Sequence, residues 1–113
     1  MTSINLQQMD ALRPFAEPPH GAGERADLVG LMEALYQAGW IHPGLDWGEW
    51  QEEAEGYALS LDTTASADLA TIQMLFTTHA RKERFCEGHW QEMIDRGHLH
   101  ALVRRVGVIR AQL

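Results

Sequence analysis

The segment between residues 79 and 90 contains four side chains that can bind a metal ion or transfer a proton: His79, Glu83, Cys86 and His89. Imidazole, carboxylate and thiolate groups are all common zinc ligands. Recognised zinc motifs contain two histidines four residues apart or paired Cys-x-x-Cys units, and this segment contains neither. His79, Glu83 and Cys86 are therefore fallback candidates for a metal site that another helix would have to complete. The histidines available for that role are His42, His98 and His100.

The spacing of these residues predicts that one long helix positions them. Positions 69, 72, 76, 79, 83, 86, 90 and 93 recur at alternating intervals of three and four, which is an a/d heptad pattern. The pattern predicts a central helix over residues 67–96 that ends at Gly97, with a kink at 80–84 as the alternative. On that helix His79, Glu83 and Cys86 share one face, whereas His89 lies about 80° away from it.

The shared face also carries Phe76 and Trp90, so we predict that His79, Glu83 and Cys86 point into the core without a metal. A buried carboxylate needs a hydrogen-bond donor or a cation, because leaving it unpaired is strongly unfavourable. We therefore expect Glu83 to pair with an arginine or a histidine, of which His79 is the nearest. Cys86 is expected to be a small core residue rather than a nucleophile.

The rest of the pattern predicts an all-α protein, a compact bundle of about five helices. Apolar spacing and capping residues place the helices near residues 3–13, 24–38, 46–59, 67–96 and 98–110. No segment alternates apolar and polar residues as strands do. Residues 1–113 form one domain, in which residues 1–23 are a peripheral N-terminal helix and a Pro/Gly-rich connector. The predicted core consists of Leu31, Leu35, Trp50, Leu69, Ile72, Phe76, Phe85, Trp90, Leu99, Leu102 and Val103.

Length and composition exclude several classes of protein. The chain has 113 residues, 45% of them hydrophobic and 22% charged, which is typical of one globular domain. Cys86 is the only cysteine, so an internal disulfide is impossible and a reducing compartment is expected. The N-terminal residues lack a signal-peptide pattern, and no apolar run is long enough to cross a bilayer. The composition therefore predicts a soluble, cytoplasmic protein without membrane contact.

Charge is distributed unevenly along the chain. The net charge is -7, but residues 1–70 carry 12 acidic and 2 basic residues, whereas residues 71–113 carry 4 acidic and 7 basic ones. One interpretation is that the two halves attract each other within one fold. Alternatively, the arginine-rich half contacts the phosphates of a nucleic acid, or the acidic half binds a basic partner.

Two motifs resemble those of a bacterial family of small domains of unknown function. Residues 81–88 read R-K-E-R-F-C-E-G, which matches an R-x-E-R-F-x-x-G segment, and residues 45–50 read L-D-W-G-E-W, which is similar to that family's acidic-tryptophan motif. The closing helix with Arg104 and Arg105 fits as well, so the resemblance covers residues 40–106. It implies a shared fold and supplies no activity.

The resemblance directs attention to a set of candidate binding residues: Asp46, Trp47, Trp50, Arg81, Glu83, Arg84 and His89. Arg84 either pairs with Glu83 or Asp46 within the fold, or helps to form a pocket for a carboxylate or a phosphate. The two tryptophans either clamp their helix to the core or form a surface that binds a partner or stacks on bases.

Three functions are compatible with these residues. The first is a non-enzymatic helical interaction or regulatory module without a cofactor, which binds a partner protein or self-associates, for example as a homodimer. The second is a metal-dependent enzyme that uses His79, Glu83 and Cys86. The third is a regulator that binds nucleic acid through its arginine-rich half or a basic partner through its acidic half.

Overall fold

The computed structural model describes residues 4–16, 30–42 and 44–113. All regular secondary structure in these ranges is helical, which confirms the predicted all-α class. The helices are α1 (Leu6–Ala11), α2 (Arg13–Ala16), α3 (Leu31–Gln37), α4 (Trp47–Leu59), α5 (Leu61–Thr64), α6 (Leu69–Lys82), α7 (His89–Asp95) and α8 (His98–Ala111). Residues 1–3 and 17–29, which include most of the predicted connector and the start of the predicted helix 24–38, lie outside the described residues.

Helix α6 lies at the centre of the fold and packs against α4, α7 and α8. Asp68 caps its start, since the Asp68 carboxylate accepts a hydrogen bond from the Thr71 backbone N–H at 2.8 Å. This hydrogen bond lowers the pKa of Asp68 and satisfies one of the unpaired N–H groups at the helix start. Every residue from 75 to 80 is buried, so α6 presents side chains to neighbours on all sides.

The predicted continuous helix over residues 67–96 is wrong. Helix α6 ends at Lys82, and α7 begins at His89 after a connector of six residues. In the connector, the Glu83 carboxylate accepts hydrogen bonds from the backbone N–H groups of Gly88 and Trp90. Gly88 has a φ of 94°, a left-handed conformation that glycine adopts without steric cost. These local contacts turn the backbone between α6 and α7. The heptad spacing therefore continues in the sequence although the helix itself does not.

The break changes the predicted core at one position. Phe85 is 73% exposed rather than buried, because it lies in the connector between α6 and α7, where its ring stacks on Trp47. Leu31, Leu35, Ile72, Phe76, Leu99, Leu102 and Val103 are buried as predicted. Trp50, Leu69 and Trp90 are partly buried and pack against this core. Sequence reasoning missed Trp40, which is fully buried and donates its indole N–H to the Gln8 backbone carbonyl at 2.8 Å.

The predicted helices 46–59 and 98–110 agree closely with α4 and α8. Asp46 caps α4, since its carboxylate accepts a hydrogen bond from the Glu49 N–H at 3.3 Å. The C-terminal helix is joined to the N-terminal part of the chain by an ion pair of 3.0 Å between Arg110 and Asp10. That contact provides one link between the basic and acidic halves.

No helix within the described ranges is both long enough and apolar enough to span a membrane.

Candidate functional site

Three histidines, His79, His89 and His98, meet where α6, α7 and α8 come together, and we call them the histidine cluster. The Nδ1 atom of His79 lies 2.9 Å from the Nε2 atom of His89, which is hydrogen-bonding distance. The ring of His98 stands at 89° to that of His79, with 5.0 Å between the ring centroids. His79 is 2% exposed and His98 is 0% exposed, whereas His89 is partly buried.

The break after Lys82 creates this cluster. On a continuous helix His89 would point away from the face of His79, but α7 turns back and brings the two rings together. Sequence reasoning considered His98 only as a possible extra metal ligand. The sequence did contain one indication that His98 lies at a junction between helices, because it directly follows Gly97, where α8 begins.

Burial lowers the pKa of all three imidazoles. It lowers the pKa of His79 well below the usual value, and nearby His98, His89 and Lys82 act in the same direction. The pKa of His98 falls to about 4 for the same main reason. Burial and Lys82 also lower the pKa of His89, although Glu92 and Glu83 partly oppose them. The cluster is therefore neutral at neutral pH, and one ring of the hydrogen-bonded pair donates an N–H to the other.

Not all polar atoms of the cluster are paired. Within the described residues, the Nε2 atoms of His79 and His98 and the hydroxyl of Thr78 are buried without a hydrogen-bond partner. The Nδ1 atom of His98 lies 3.5 Å from the Thr64 hydroxyl, at the limit of a hydrogen bond. Buried polar atoms in proteins are almost always paired with protein groups or with water, and an unpaired one lowers stability.

A cavity of about 40 Å³ adjoins His79 and His89 between α4, α6 and α7. Its other polar lining residues are Gln51, Glu55, Thr78, Lys82, Glu92 and Arg96. A space of this size accommodates one or a few water molecules but no organic substrate. The cavity can therefore hydrate the histidine pair, and it does not resemble the larger pockets that bind metabolites.

The fallback metal site is not assembled. His79 points into the core as predicted, but Cys86 is exposed, which corrects the prediction that it faces inward. The Glu83 carboxylate lies at the start of α7 and accepts backbone N–H groups, and among the described residues no hydrogen bond or ion pair joins it to the arginine or histidine that was predicted as its partner. Across the described part of the chain, no three His, Cys, Asp or Glu side chains are grouped so that they could hold a metal ion.

Glu83 instead connects the end of α6 to the start of α7. Its two carboxylate oxygens accept the Trp90 N–H at 2.7 Å and the Gly88 N–H at 3.2 Å. These hydrogen bonds lower the pKa of Glu83, because they stabilise the ionised carboxylate. The role that the geometry assigns to Glu83 is to cap α7.

An exposed aromatic pair lies close to this connector. The rings of Trp47 and Phe85 are stacked at 22° with 5.6 Å between their centroids. Trp47 is partly buried, whereas Phe85 is largely exposed. Trp50 behaves differently, since it stacks on Tyr57 of the same helix and packs against the core. Of the two candidate tryptophans, Trp50 clamps α4 to the core and Trp47 contributes to the surface.

The elements that carry the aromatic pair also carry exposed charges of both signs. Helix α4, which begins at Trp47, contains no lysine or arginine. Its exposed acidic residues are Glu49, Glu52, Glu53 and Glu55. Arg84, which precedes Phe85, is exposed. The ion pairs among the described residues are Arg110–Asp10 and Arg96–Glu92, and neither includes Arg81 or Arg84. The structure therefore does not contain the ion pair considered between Arg84 and Glu83 or Asp46.

Comparison with protein families identifies one family that matches most of the chain. Residues 22–112 match the model of a family of unknown function, DUF6508. The chain belongs to the DUF6508 family. The match includes both the acidic-tryptophan motif and the segment 81–88, and it supports the expectation of a domain of unknown function. Neither a curated protein nor a solved structure matches the chain.

The capping role of Glu83 in this DUF6508 domain can be tested by two substitutions. Glu83→Leu is expected to lower the free energy of unfolding by about 1–2 kcal/mol, because it leaves two backbone N–H groups at the start of α7 without their acceptor. Glu83→Gln retains one amide oxygen and is expected to cost about half as much. Urea denaturation followed by circular dichroism measures both effects.

The matched control is Glu87→Leu, which changes an exposed glutamate of the same connector that accepts no hydrogen bond from the described residues. It is expected to alter stability by less than about 0.5 kcal/mol. Equal losses for Glu83→Leu and Glu87→Leu would contradict the capping role.

Proposed function

We propose that this DUF6508 chain is a non-enzymatic interaction module that binds a basic segment of a partner protein at the Trp47–Phe85 pair. The observation that carries the proposal is the exposure of Phe85, at 73%, on top of Trp47. Aromatic side chains that remain exposed on a folded domain often serve as anchors of protein interfaces, where a few of them supply most of the binding energy.

The charges around the pair favour a basic partner. Asp46 and the four exposed glutamates of α4 lie on or next to the helix that carries Trp47, and Arg84 is an exposed cation that precedes Phe85 in the chain. An arginine of the partner can stack on the aromatic rings and pair with these carboxylates at the same time. The net charge of -7 further attracts a basic segment and repels nucleic-acid phosphates.

A binding role is also favoured over the metal-dependent enzyme. The three side chains that the enzyme would use point to different surroundings, with His79 in the core, Glu83 at the start of α7 and Cys86 exposed. The cavity next to the histidine cluster is too small for an organic substrate. The aromatic pair, in contrast, is accessible to a macromolecule without rearrangement.

The proposal is tested by selecting binders from a library of random displayed peptides on the full chain. We expect the selected sequences to be enriched in arginine or lysine next to apolar residues, and their affinity to fall as salt increases. We expect Phe85→Ala to weaken the binding of a selected peptide at least about tenfold, as measured by fluorescence anisotropy.

Leu59→Ala provides a matched control. Leu59 is 70% exposed and ends α4, about 18 Å along the helix from Trp47, so its removal is expected to leave binding unchanged. Enrichment of acidic peptides, or equal effects of Phe85→Ala and Leu59→Ala, would overturn the proposal. Dimerisation that Phe85→Ala abolishes, seen by light scattering, would replace the basic partner with a second copy of the chain.

A further inference from the structure

We propose that the His79–His89 hydrogen bond is an acid-labile latch that holds α7 against α6. The bond joins the centre of the fold to the first residue of a neighbouring helix, and its two nitrogens are 2.9 Å apart. It depends on protonation because a pair of imidazoles can share a hydrogen bond only while one of the facing nitrogens lacks a proton.

Acid acts on this bond in two steps. The first proton leaves the hydrogen bond intact but places a positive charge on buried rings, which is unfavourable because the charge loses its hydration. The second proton binds to the remaining acceptor nitrogen, which can then no longer accept the hydrogen bond. It also leaves two positively charged rings whose facing nitrogens are about 3 Å apart. The latched arrangement then cannot persist, and the rings must separate to reach water.

The charged groups around the pair do not compensate for added protons. Lys82 at the end of α6 and Arg96 of α7 are cations, and His98 of α8 becomes a third when it is protonated. The Glu83 carboxylate already accepts two backbone N–H groups. Glu92 of α7 lies 3.7 Å from Arg96, and Glu55 of α4 borders the cavity. Within the described residues, no hydrogen bond joins His79 or His89 to a carboxylate.

Helix α7 is short and packs mainly through apolar side chains. It is seven residues long, too short to be stable on its own in water. Its packing rests on Met93, which is buried, and on Trp90 and Ile94, which are partly buried. Loss of the latch is therefore expected to release residues 83–97 while α6 and α8, which contribute most of the buried residues, remain packed.

Hydrogen exchange of the full chain, measured by mass spectrometry and corrected for the intrinsic effect of pH, tests this inference. Between about pH 7 and pH 5 we expect protection in residues 83–97 to fall at least tenfold more than protection in residues 98–111. His89→Gln is expected to remove most of this difference, because its amide can still hydrogen-bond to His79 but does not titrate. His42→Gln, which changes an exposed histidine of the loop before α4, is expected to retain it.

Two outcomes would overturn the latch. Equal loss of protection in residues 83–97 and 98–111 would indicate global acid unfolding. If His89→Gln retained the greater loss of protection in residues 83–97, that loss would have to come from groups other than the His79–His89 pair. If His89→Gln does not fold, the side-chain nitrogen resonances of His79 and His89 in the wild-type chain provide the readout. Titration of both rings at the usual pKa of a histidine, without a coupled loss of order in α7, would then refute the inference.

Discussion

Phe76→Ala is expected to lower the free energy of unfolding by about 3–5 kcal/mol. The Phe76 side chain is 0% exposed in the middle of α6, and its ring meets that of Trp40 edge-on with 5.5 Å between their centroids. Truncation removes the transfer free energy of the ring, leaves a cavity in the core and abolishes the aromatic contact. Urea denaturation monitored by circular dichroism measures the loss.

Phe85→Ala is the matched control, since it makes the same chemical change at a largely exposed position. Its expected effect is below about 1 kcal/mol, because only the stacking on Trp47 is lost. Together the two variants separate stability from binding, as Phe76 supports the core and Phe85 is proposed to contact a partner. A loss below about 1 kcal/mol for Phe76→Ala would mean that α6 does not form the centre of the core.

Acidification is expected to destabilise the protein through His98, by about 3 kcal/mol at pH 4. The pKa of His98 is about 4 in the folded chain, whereas an unfolded histidine has a pKa of about 6.5. The unfolded chain therefore takes up a proton at a higher pH than the folded one. This contribution to stability is fully present above about pH 6.5, decreases as the pH falls and is lost once the pH passes below about 4.

Unfolding by urea at a series of pH values measures this contribution, with His98→Gln as the test variant and His42→Gln as the control. The difference in stability between wild type and His98→Gln should shrink by about 3 kcal/mol from pH 7 to pH 4, because the variant lacks the titrating group. The corresponding change for His42→Gln should be smaller, because the His42 side chain is exposed rather than buried. If the free energies of unfolding of the wild type and His98→Gln changed in parallel with pH, the loss of stability could not be assigned to His98. Titration of the His98 ring near the usual pKa of a histidine would contradict the assignment as well.

Much of the helical framework could be predicted from local patterns. Helix α4 begins after Asp46 because the carboxylate satisfies a backbone N–H, and the apolar spacing from residue 98 onward defines α8. The buried face of α6 also followed from its spacing, as Ile72 and Phe76 demonstrate. These features depend on residues within one or two helical turns, so one segment of sequence contains the information that specifies them.

The limit of the periodicity argument lies between Lys82 and His89. A heptad pattern counts intervals and does not detect a change of direction. The predicted burial of Cys86 followed from extending the pattern too far, and that of Phe85 from assuming that the helix continues through residue 85. The signal for the break was present in Glu83 and Gly88, a hydrogen-bond acceptor followed by a residue that tolerates positive φ. From the sequence, we could not decide whether this signal for a break or the apolar heptad pattern determines the structure, because that depends on the backbone geometry.

By itself, the sequence determined the all-α class, most core positions and the presence of an acidic helix that starts with two tryptophans. Only the tertiary structure decided which of those tryptophans is on the surface and which histidines meet. Trp47 and Phe85 are 38 positions apart, and His98 joins His79 through the packing of α8 on α6. Such contacts depend on how helices are oriented after the chain turns, and that orientation is set by the packing of the whole core rather than by the spacing within any one segment.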